Sequence, residues 1–545
     1  MGSTTHQDTS VNTKNSRWLM NLLAIGILLG IGFRFFEIDR KLYWHDETYT
    51  SMRVAGFTRQ DINDELFQNR IVPAPELQKY QRIKPGSTEA DTIRSLALED
   101  AQHPPLYFLM ARWWMQEFGS SLTASRSLPA LLSLLSLPLM YALAQELFAS
   151  NLTALFATAL LALSPFDILF AQTARQYSLL TATVIGSSWL LLRAVRLRAW
   201  QNWACYSLAI AIGFYTHPFF GLTLIGHGFF IISYWLFVNK RELRGNLTTS
   251  QFFLAITAGL VLYSPWIYVM ATHLKRISAT TDWTRVSPGW LYLLRMWMLT
   301  FTALFFDIES SSKNIWIYLL RLPFLLLIAV ALYQICRRTS ISTWLFIVTS
   351  IFVPFLLLAL PDIILGGKRS AVSRYLISCF PGVQLAVAYL LASNVKNQQR
   401  FWQVILALVF TASVASCTVS AVSDTWWSKD SSYFNAEVAR NINKEAIANR
   451  SIKDTIVISD DRGIDFTNMG DLLSLSYLLD KDVRLMLMSE SPEIEMLNKY
   501  SAPLVFHPSE KLRSALKQNQ RRLEPILQYA RLFRARRASE TSSQK

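Results

Sequence analysis

The chain has 545 residues, 52% of them apolar and only 17% charged, against about 25% charged in an ordinary soluble domain. That balance, with 33 Phe and 17 Trp spread along the chain and apolar runs near 20 residues recurring, excludes disorder, coiled coil, collagen and a chain of soluble domains alone. The formal charge of +15 does not point to nucleic acid, because basic residues between membrane spans serve to orient them. Cys205, Cys336, Cys379 and Cys417 fall in or beside apolar segments, without metal-binding spacing or the pattern of a disulfide framework.

In chain order, residues 1–16 are polar and read as a disordered tail. An uncleaved anchor follows at 18–37, since Arg34 and Glu37 close the apolar run and no clear small-residue cleavage site is present. Further spans are expected at 126–147, 152–171, 177–193, 202–216, 218–238, 250–272, 316–335, 341–361, 374–393 and 401–423, eleven in all. If they alternate, Arg193, Arg196 and Arg198, then Lys240, Arg241 and Arg244, then Arg337 and Arg338, then Lys396 and Arg400 share one side. By the positive-inside rule that side is the cytoplasm. The amino terminus is then cytoplasmic and the carboxyl terminus extracytoplasmic.

Two apolar segments, 105–118 and 289–306, must not span if this parity holds, and they read as interfacial or re-entrant helices; for 105–118 a short true span is the alternative. Residues 424–545 are richer in charge. Strands are expected at Ile456–Ile458, Val483–Met488 and Leu504–Phe506, and helices at 465–479 and 509–520, giving a small α/β domain outside the membrane. The expected organisation is a tail (1–16), a polytopic α-helical membrane domain (17–423) with its first extracytoplasmic loop at 38–104, and an α/β domain (424–545).

Four features fall on the expected outer face. The first is Tyr43-Trp44-His45-Asp46-Glu47. A carboxylate just past a span can take a proton from a hydroxyl or hold a cation beside a phosphate, and the aromatics suit the water–lipid interface; an ordinary polar loop start is the plainer reading. The second is His103-Pro104-Pro105, which equally marks a helix start or sets His103 beside free N–H groups able to meet a phosphate. The third is Ser164-Pro165, then Gln172 to Tyr177, in which Arg175 can clamp an anion, pair with an acid or anchor an interface. The fourth is Lys368-Arg369 with Arg374-Tyr375, whose three cations run against the inside bias; an anionic head group would account for them, and a solvated loop that tolerates exceptions to the rule is the plainer reading. His217 lies near the same face, where a lone histidine is more often a packing residue. The spans hold almost no buried carboxylates and no acidic relay at mid-membrane depth, which argues against a transport path. A transporter or flippase for a lipid-linked sugar remains the alternative.

These residues carry a resemblance. Asp46-Glu47 after the first span, His103-Pro104-Pro105-Leu106, Arg126-Ser127-Leu128-Pro129-Ala130, Ser164-Pro165 to Tyr177, His217, Tyr263-Ser264-Pro265-Trp266 and Arg374-Tyr375-Leu376 resemble, in that order, the membrane glycosyltransferases that use polyprenyl-phosphate sugars. The group is the GT-C class that holds protein O-mannosyltransferases and the lipid A aminoarabinose transferase, with their bacterial relatives. The resemblance implies a GT-C-like fold and inverting sugar transfer at the extracytoplasmic face of a bacterial inner membrane. The acceptor it implies is a lipid, a glycan or a protein. It gives Asp46 the role of base and Glu47 that of orienting the acceptor. His103, Arg175, Lys368, Arg369 and Arg374 would meet the donor phosphate, and Tyr43, Trp44, Gln172, Tyr177, His217 and Tyr375 would line the pocket. Many bacterial relatives have an acid where this chain has Thr173, so metal use stays open: a divalent cation is possible and no cofactor is assigned.

Overall fold

The computed structural model describes residues 8–237, 243–309, 315–395, 399–448, 456–461, 466–489, 491–500 and 502–537. Lys240, Arg241, Lys396 and the chain's last eight residues lie outside the described residues, as does the side chain of Arg244. The chain divides into two compact units: residues 1–38, 100–107 and 126–422 form the first, and 39–99, 108–125 and 423–545 the second.

The first unit is helical. Among the described residues nine helices are long and apolar enough to cross a membrane, and ten if a bent pair counts as one span. The expected eleventh, 202–216, is the helix Trp200–Thr216, whose 17 residues fall short of that length. The tail expected to be disordered is helical from Asp8 onward, because extending a formed helix costs far less than nucleating one. The segment expected to be interfacial at 289–306 is the 13-residue helix Trp290–Thr302. The other, at 105–118, is the 13-residue helix Leu106–Phe118, which the division between the units crosses near its start.

The bent pair, Asn151–Ala162 and Pro165–Ala171, turns by 56°. Pro165 has no N–H to return to the carbonyl one turn back, so the ladder opens at Leu161 and Ala162. Arg34, buried at the end of the first helix, fills the gap. Its Nη1 donates to Ala162 O and Gly30 O, each at 2.6 Å, and its Nη2 to Leu161 O at 3.3 Å. A Cβ on Gly30 would sit 2.2 Å from Ala162 O, so only glycine lets these two helices approach so closely.

The second unit is built on a six-stranded sheet of order β1-β3-β2-β4-β6-β5, with β1 Arg70–Pro73, β2 Ile456–Asp460, β3 Arg484–Met488, β4 Leu504–Phe506, β5 Arg521–Leu527 and β6 Leu532–Arg537. β2 runs parallel to β3 and β4, and the other pairings are antiparallel. Side chains alternate between two buried clusters. Val457, Leu485, Leu487, Leu504 and Phe506 enter one, and Ile456, Ile458, Met486, Met488 and Val505 the other. Apolar residues on both faces are what a central parallel strand requires. Tyr49, Met52, Ile62, Leu66, Val72, Leu77 and Tyr80 complete the first cluster. The stretch expected to be a membrane-domain loop thus supplies an edge strand and part of the core to the sheet of the C-terminal residues.

Candidate functional site

In the first unit, the ends of several helices converge. Gln172 is buried and donates to Phe33 O and Phe36 O, both at 2.8 Å, tying the 172–176 turn to the end of the first helix. Arg126 Nη1 donates to Ile38 O at 3.0 Å, and Trp266 Nε1 to Ala101 O at 3.0 Å. These anchors bring 36–38, 101–107, 126, 172–177, 217–219 and 266 to one end of the bundle. The other end gathers Glu146, Arg196, Leu147, Thr343, Arg338 and Tyr389 through the hydrogen bonds Arg196 Nη2 to Glu146 Oε2 (3.0 Å), Thr343 Oγ1 to Leu147 O (3.2 Å) and Tyr389 OH to Arg338 O (3.2 Å).

His103, Arg175 and His217 form the centre of the first of these ends. Arg175 Nη2 lies 3.0 Å from His103 Nε2. A guanidinium only donates, so His103 Nε2 accepts, and a neutral ring then carries its proton on Nδ1. Gln176 lies 3.3 Å from Nδ1 and serves as its acceptor when the amide oxygen faces the ring. His217 packs on His103 at 5.7 Å between ring centroids and on Tyr177 at 6.2 Å. Its Nδ1 accepts the Phe219 N–H at 3.1 Å. Burial first, then the neighbouring His103, Arg175 and Arg374, hold its pKa well below the ordinary value. His217 is therefore neutral, with its proton on Nε2.

Three cations border this centre. Trp283 has the Lys368 Nζ 5.0 Å and the Arg374 Cζ 5.9 Å from its ring centroid, and Arg374 also lies 5.6 Å from the Tyr375 ring. Phe219 meets Tyr375 at 4.3 Å, which links this group to His217. Arg369 is used differently. It pairs at 3.6 Å with Asp362, a fully buried carboxylate that also accepts Ser370 N at 2.6 Å and Ser370 Oγ at 2.8 Å. Gly367, at φ +150°, lies where a Cβ would be 2.5 Å from Asp362 Oδ1. Arg369 and Asp362 thus fix the loop that presents Lys368 and Arg374. Among the described residues, Lys368 has no carboxylate within ion-pair distance.

In the second unit, Asp46 and Glu47 lie in the first turn of the helix His45–Val54, where carboxylates suit the helix dipole. Glu47 is fully buried. It accepts the Trp44 N–H at 3.0 Å and pairs with Lys429 Nζ, also buried, at 3.0 Å. Lys429 in turn lies 5.6 Å from the Trp44 ring, and Trp44 Nε1 donates to Asp430 O at 2.8 Å. Tyr43 shares a hydrogen bond with Ser51 and meets the Tyr477 ring edge-on. Asp46 is partly exposed, and its Oδ1 lies 3.0 Å from His45 Nε2.

The structure therefore brings His103, Arg175, His217, Tyr177, Lys368, Arg374 and Tyr375 together in one unit, and Tyr43, Trp44, Asp46 and Glu47 in the other. Sequence reasoning missed Trp283, Asp362 and Lys429. Lys429 stands at the start of the C-terminal residues, and no local pattern links it to Glu47, 382 positions earlier. Among the described residues no group of three or more His, Cys, Asp and Glu side chains is gathered as for a metal ion.

Residues 102–269 match the family model of dolichyl-phosphate-mannose-protein mannosyltransferase. No curated protein matches the chain. Among solved structures, the fold is similar to that of ArnT from Cupriavidus metallidurans bound to undecaprenyl phosphate. The TM-score is 0.55 at 12% identity, over 94% of this chain and 98% of that one. The archaeal oligosaccharyltransferase AglB from Archaeoglobus fulgidus matches with a TM-score of 0.45 at 13% identity, over 90% of this chain and 69% of that one. The chain thus shares the polytopic helical fold of ArnT, and the segment matched by the family model carries His103, Arg175, His217 and Trp266.

Proposed function

We propose that the chain is an inverting glycosyltransferase that moves a sugar from a polyprenyl-phosphate donor to an acceptor at the extracytoplasmic face of a bacterial inner membrane. The observation that carries this reading is the gathering of Arg175, Lys368 and Arg374 with His103, His217 and aromatic rings at one end of the helices. Cations held over aromatic faces are fixed in direction, and fixed donors stabilise a charge that develops during reaction. The matched family and the fold neighbour, both concerned with lipid phosphates, support the same reading.

In this scheme the donor phosphate meets Arg374, Lys368 and Arg175. The neutral His217, and His103 held by Arg175, add hydrogen-bonding groups without adding positive charge. Arg369 acts through Asp362 as a positioning residue. Asp46 accepts the proton of the acceptor hydroxyl as that oxygen bonds to the anomeric carbon. The bond from that carbon to the phosphate oxygen breaks, and polyprenyl phosphate leaves with the electron pair. Glu47, neutralised by Lys429 and capping its own helix, sets the position of Asp46. The basic residues at the other end of the bundle face the cytoplasm, which sets the amino terminus inside and residues 424–545 outside.

Labelled polyprenyl-phosphate sugars offered to the purified protein with cell-envelope extract test the proposal. The expected result is label in a product identified by mass, absent with Asp46→Asn. Equal transfer by Asp46→Asn removes Asp46 from the base role, and no transfer from any such donor contradicts the assignment.

A further inference from the structure

His45 has a polar partner on each side of its ring. Nε2 lies 3.0 Å from Asp46 Oδ1, and Nδ1 lies 3.3 Å from Ser432 Oγ. Ser432 Oγ stands 2.6 Å from Oδ1 of Asp471, a fully buried carboxylate that also receives Asn435 Nδ2 at 3.1 Å. The His45 backbone N–H donates to the same Ser432 Oγ at 3.1 Å.

With Asp471 taken as ionised, proton counting leaves one assignment. An ionised carboxylate only accepts, so the single Ser432 hydroxyl proton goes to Asp471. The Ser432 oxygen must accept from both the His45 backbone N–H and Nδ1, so Nδ1 carries a proton. Nε2 faces the Asp46 carboxylate and carries one too. A ring with both nitrogens donating is an imidazolium. The electrostatics agree: burial disfavours the charge, but Asp46, and then Asp471 and Asp430, outweigh it, and the pKa lies above the ordinary value.

We propose that His45 is a cationic positioning residue for Asp46, kept protonated through Ser432 by Asp471, so that residues 423–545 complete the catalytic carboxylate's setting. The inference rests on reading Asp46 as the base. One carboxylate beside one imidazolium would be a weak proton acceptor. With Asp471 the trio Asp46, His45 and Asp471 carries a net charge of −1, and it becomes neutral when Asp46 takes up the acceptor's proton. Asp471 thus offsets the loss of basicity that His45 alone would impose.

The surroundings leave this charge pattern intact. Glu47 is matched by Lys429. At the far end of the His45–Val54 helix, Glu99 accepts the Arg59 N–H at 2.9 Å and lies 4.0 Å from Arg53. The helix Phe466–Leu475, which carries Asp471, is held close because a Cβ on Gly470 would sit 2.9 Å from the His45 Cβ and 2.8 Å from the Tyr49 ring.

The test uses the full chain in lipid nanodiscs with ¹⁵N-labelled histidine, His45 being assigned by its loss in His45→Gln. The expected spectrum at pH 7 is that of an imidazolium. In Asp471→Asn and Ser432→Ala the His45 titration moves to lower pH. The kcat falls by up to about 100-fold, the scale of a misplaced reacting group, with donor KM unchanged and the acid limb of the pH–rate profile displaced. Ser432→Thr, which keeps the hydroxyl, restores both readouts. A neutral His45 at pH 7, or an Asp471→Asn protein with unmoved His45 titration and kcat, overturns the proposal. Full transfer by Asp46→Asn, with His45 an imidazolium in the wild type and its titration lowered in Asp471→Asn, instead overturns the base reading, and with it the catalytic part of this one.

Discussion

Both units pair buried charges, and the helical unit also sets cations against aromatic rings. At the head of the His45–Val54 helix each charge meets an opposite one: Glu47 meets Lys429 and His45 meets Asp46. At the polar end of the helical unit, Lys368 and Arg374 meet aromatic rings and Arg175 meets a neutral imidazole. Arg369, by contrast, is paired with Asp362, and Arg321 with Asp307 at 3.0 Å. Charges in such close pairs hold a shape, and a cation seated over a ring is held in direction. On the proposed function, the cations over rings are the ones that act on a ligand, and the close pairs are structural.

The largest effect that would break this comparison is at Asp46. Asp46→Asn is expected to cost on the order of 10²- to 10⁴-fold in kcat, the range of a general base, with donor binding retained in a lipid-phosphate binding assay. A drop of a few-fold only would place Asp46 among the structural charges.

Next is the buried pair. Lys429→Met leaves Glu47 uncompensated and should destabilise the second unit by about 3–5 kcal/mol, whereas the double change Glu47→Gln with Lys429→Met should recover much of that loss. Thermal unfolding of the purified variants measures both. Equal stability in the single and double variants would mean that the pair contributes nothing.

Arg374→Met removes a cation held over Trp283 and Tyr375, and is expected to lower kcat by roughly 10²-fold, as for the loss of one fixed donor to a developing charge. Stability should be nearly unchanged. Arg369→Met should do the reverse, loosening the loop by taking the cation from Asp362, so a thermal shift without a proportionate change in donor affinity is expected. If both variants gave the same profile, the contrast between the two arginines would collapse.

This contrast also shows what the sequence could carry. Helix positions in the membrane unit were legible because a 20-residue apolar run has few other uses, and β2 to β4 because short β-branched and apolar runs were bounded by polar residues. The hairpin β5–β6 and the edge strand β1 were not. Arg521–Leu527 and Leu532–Arg537 are crowded with arginines, and Arg70–Pro73 finds its partner, β3, more than 400 positions away. Among site residues, Arg374 and His103 stood out by breaking the charge rule or preceding two prolines. Trp283 and Asp362 gave no signal, since an aromatic and a helix-end carboxylate are ordinary in a membrane protein until packing shows what they hold.

The smallest effects are in pH. His45 has a pKa above its ordinary 6.5, so its contribution to stability is complete below that value and is lost as pH rises through the folded pKa. His217 has a pKa below 6.5, so its contribution is present above that value and is lost as pH falls through the folded pKa. Unfolding followed from pH 5 to 9 should therefore lose the first contribution on the alkaline side and the second on the acid side. His45→Gln should flatten only the alkaline loss.

The most direct measurement follows both halves of a doubly labelled donor, one label in the sugar and one in the polyprenyl phosphate, with the purified protein in sealed vesicles. Release of one polyprenyl phosphate for each sugar joined to acceptor, lost in Asp46→Asn, is the predicted result. Passage of the intact lipid-linked sugar across the vesicle wall, with no polyprenyl phosphate set free, would contradict it.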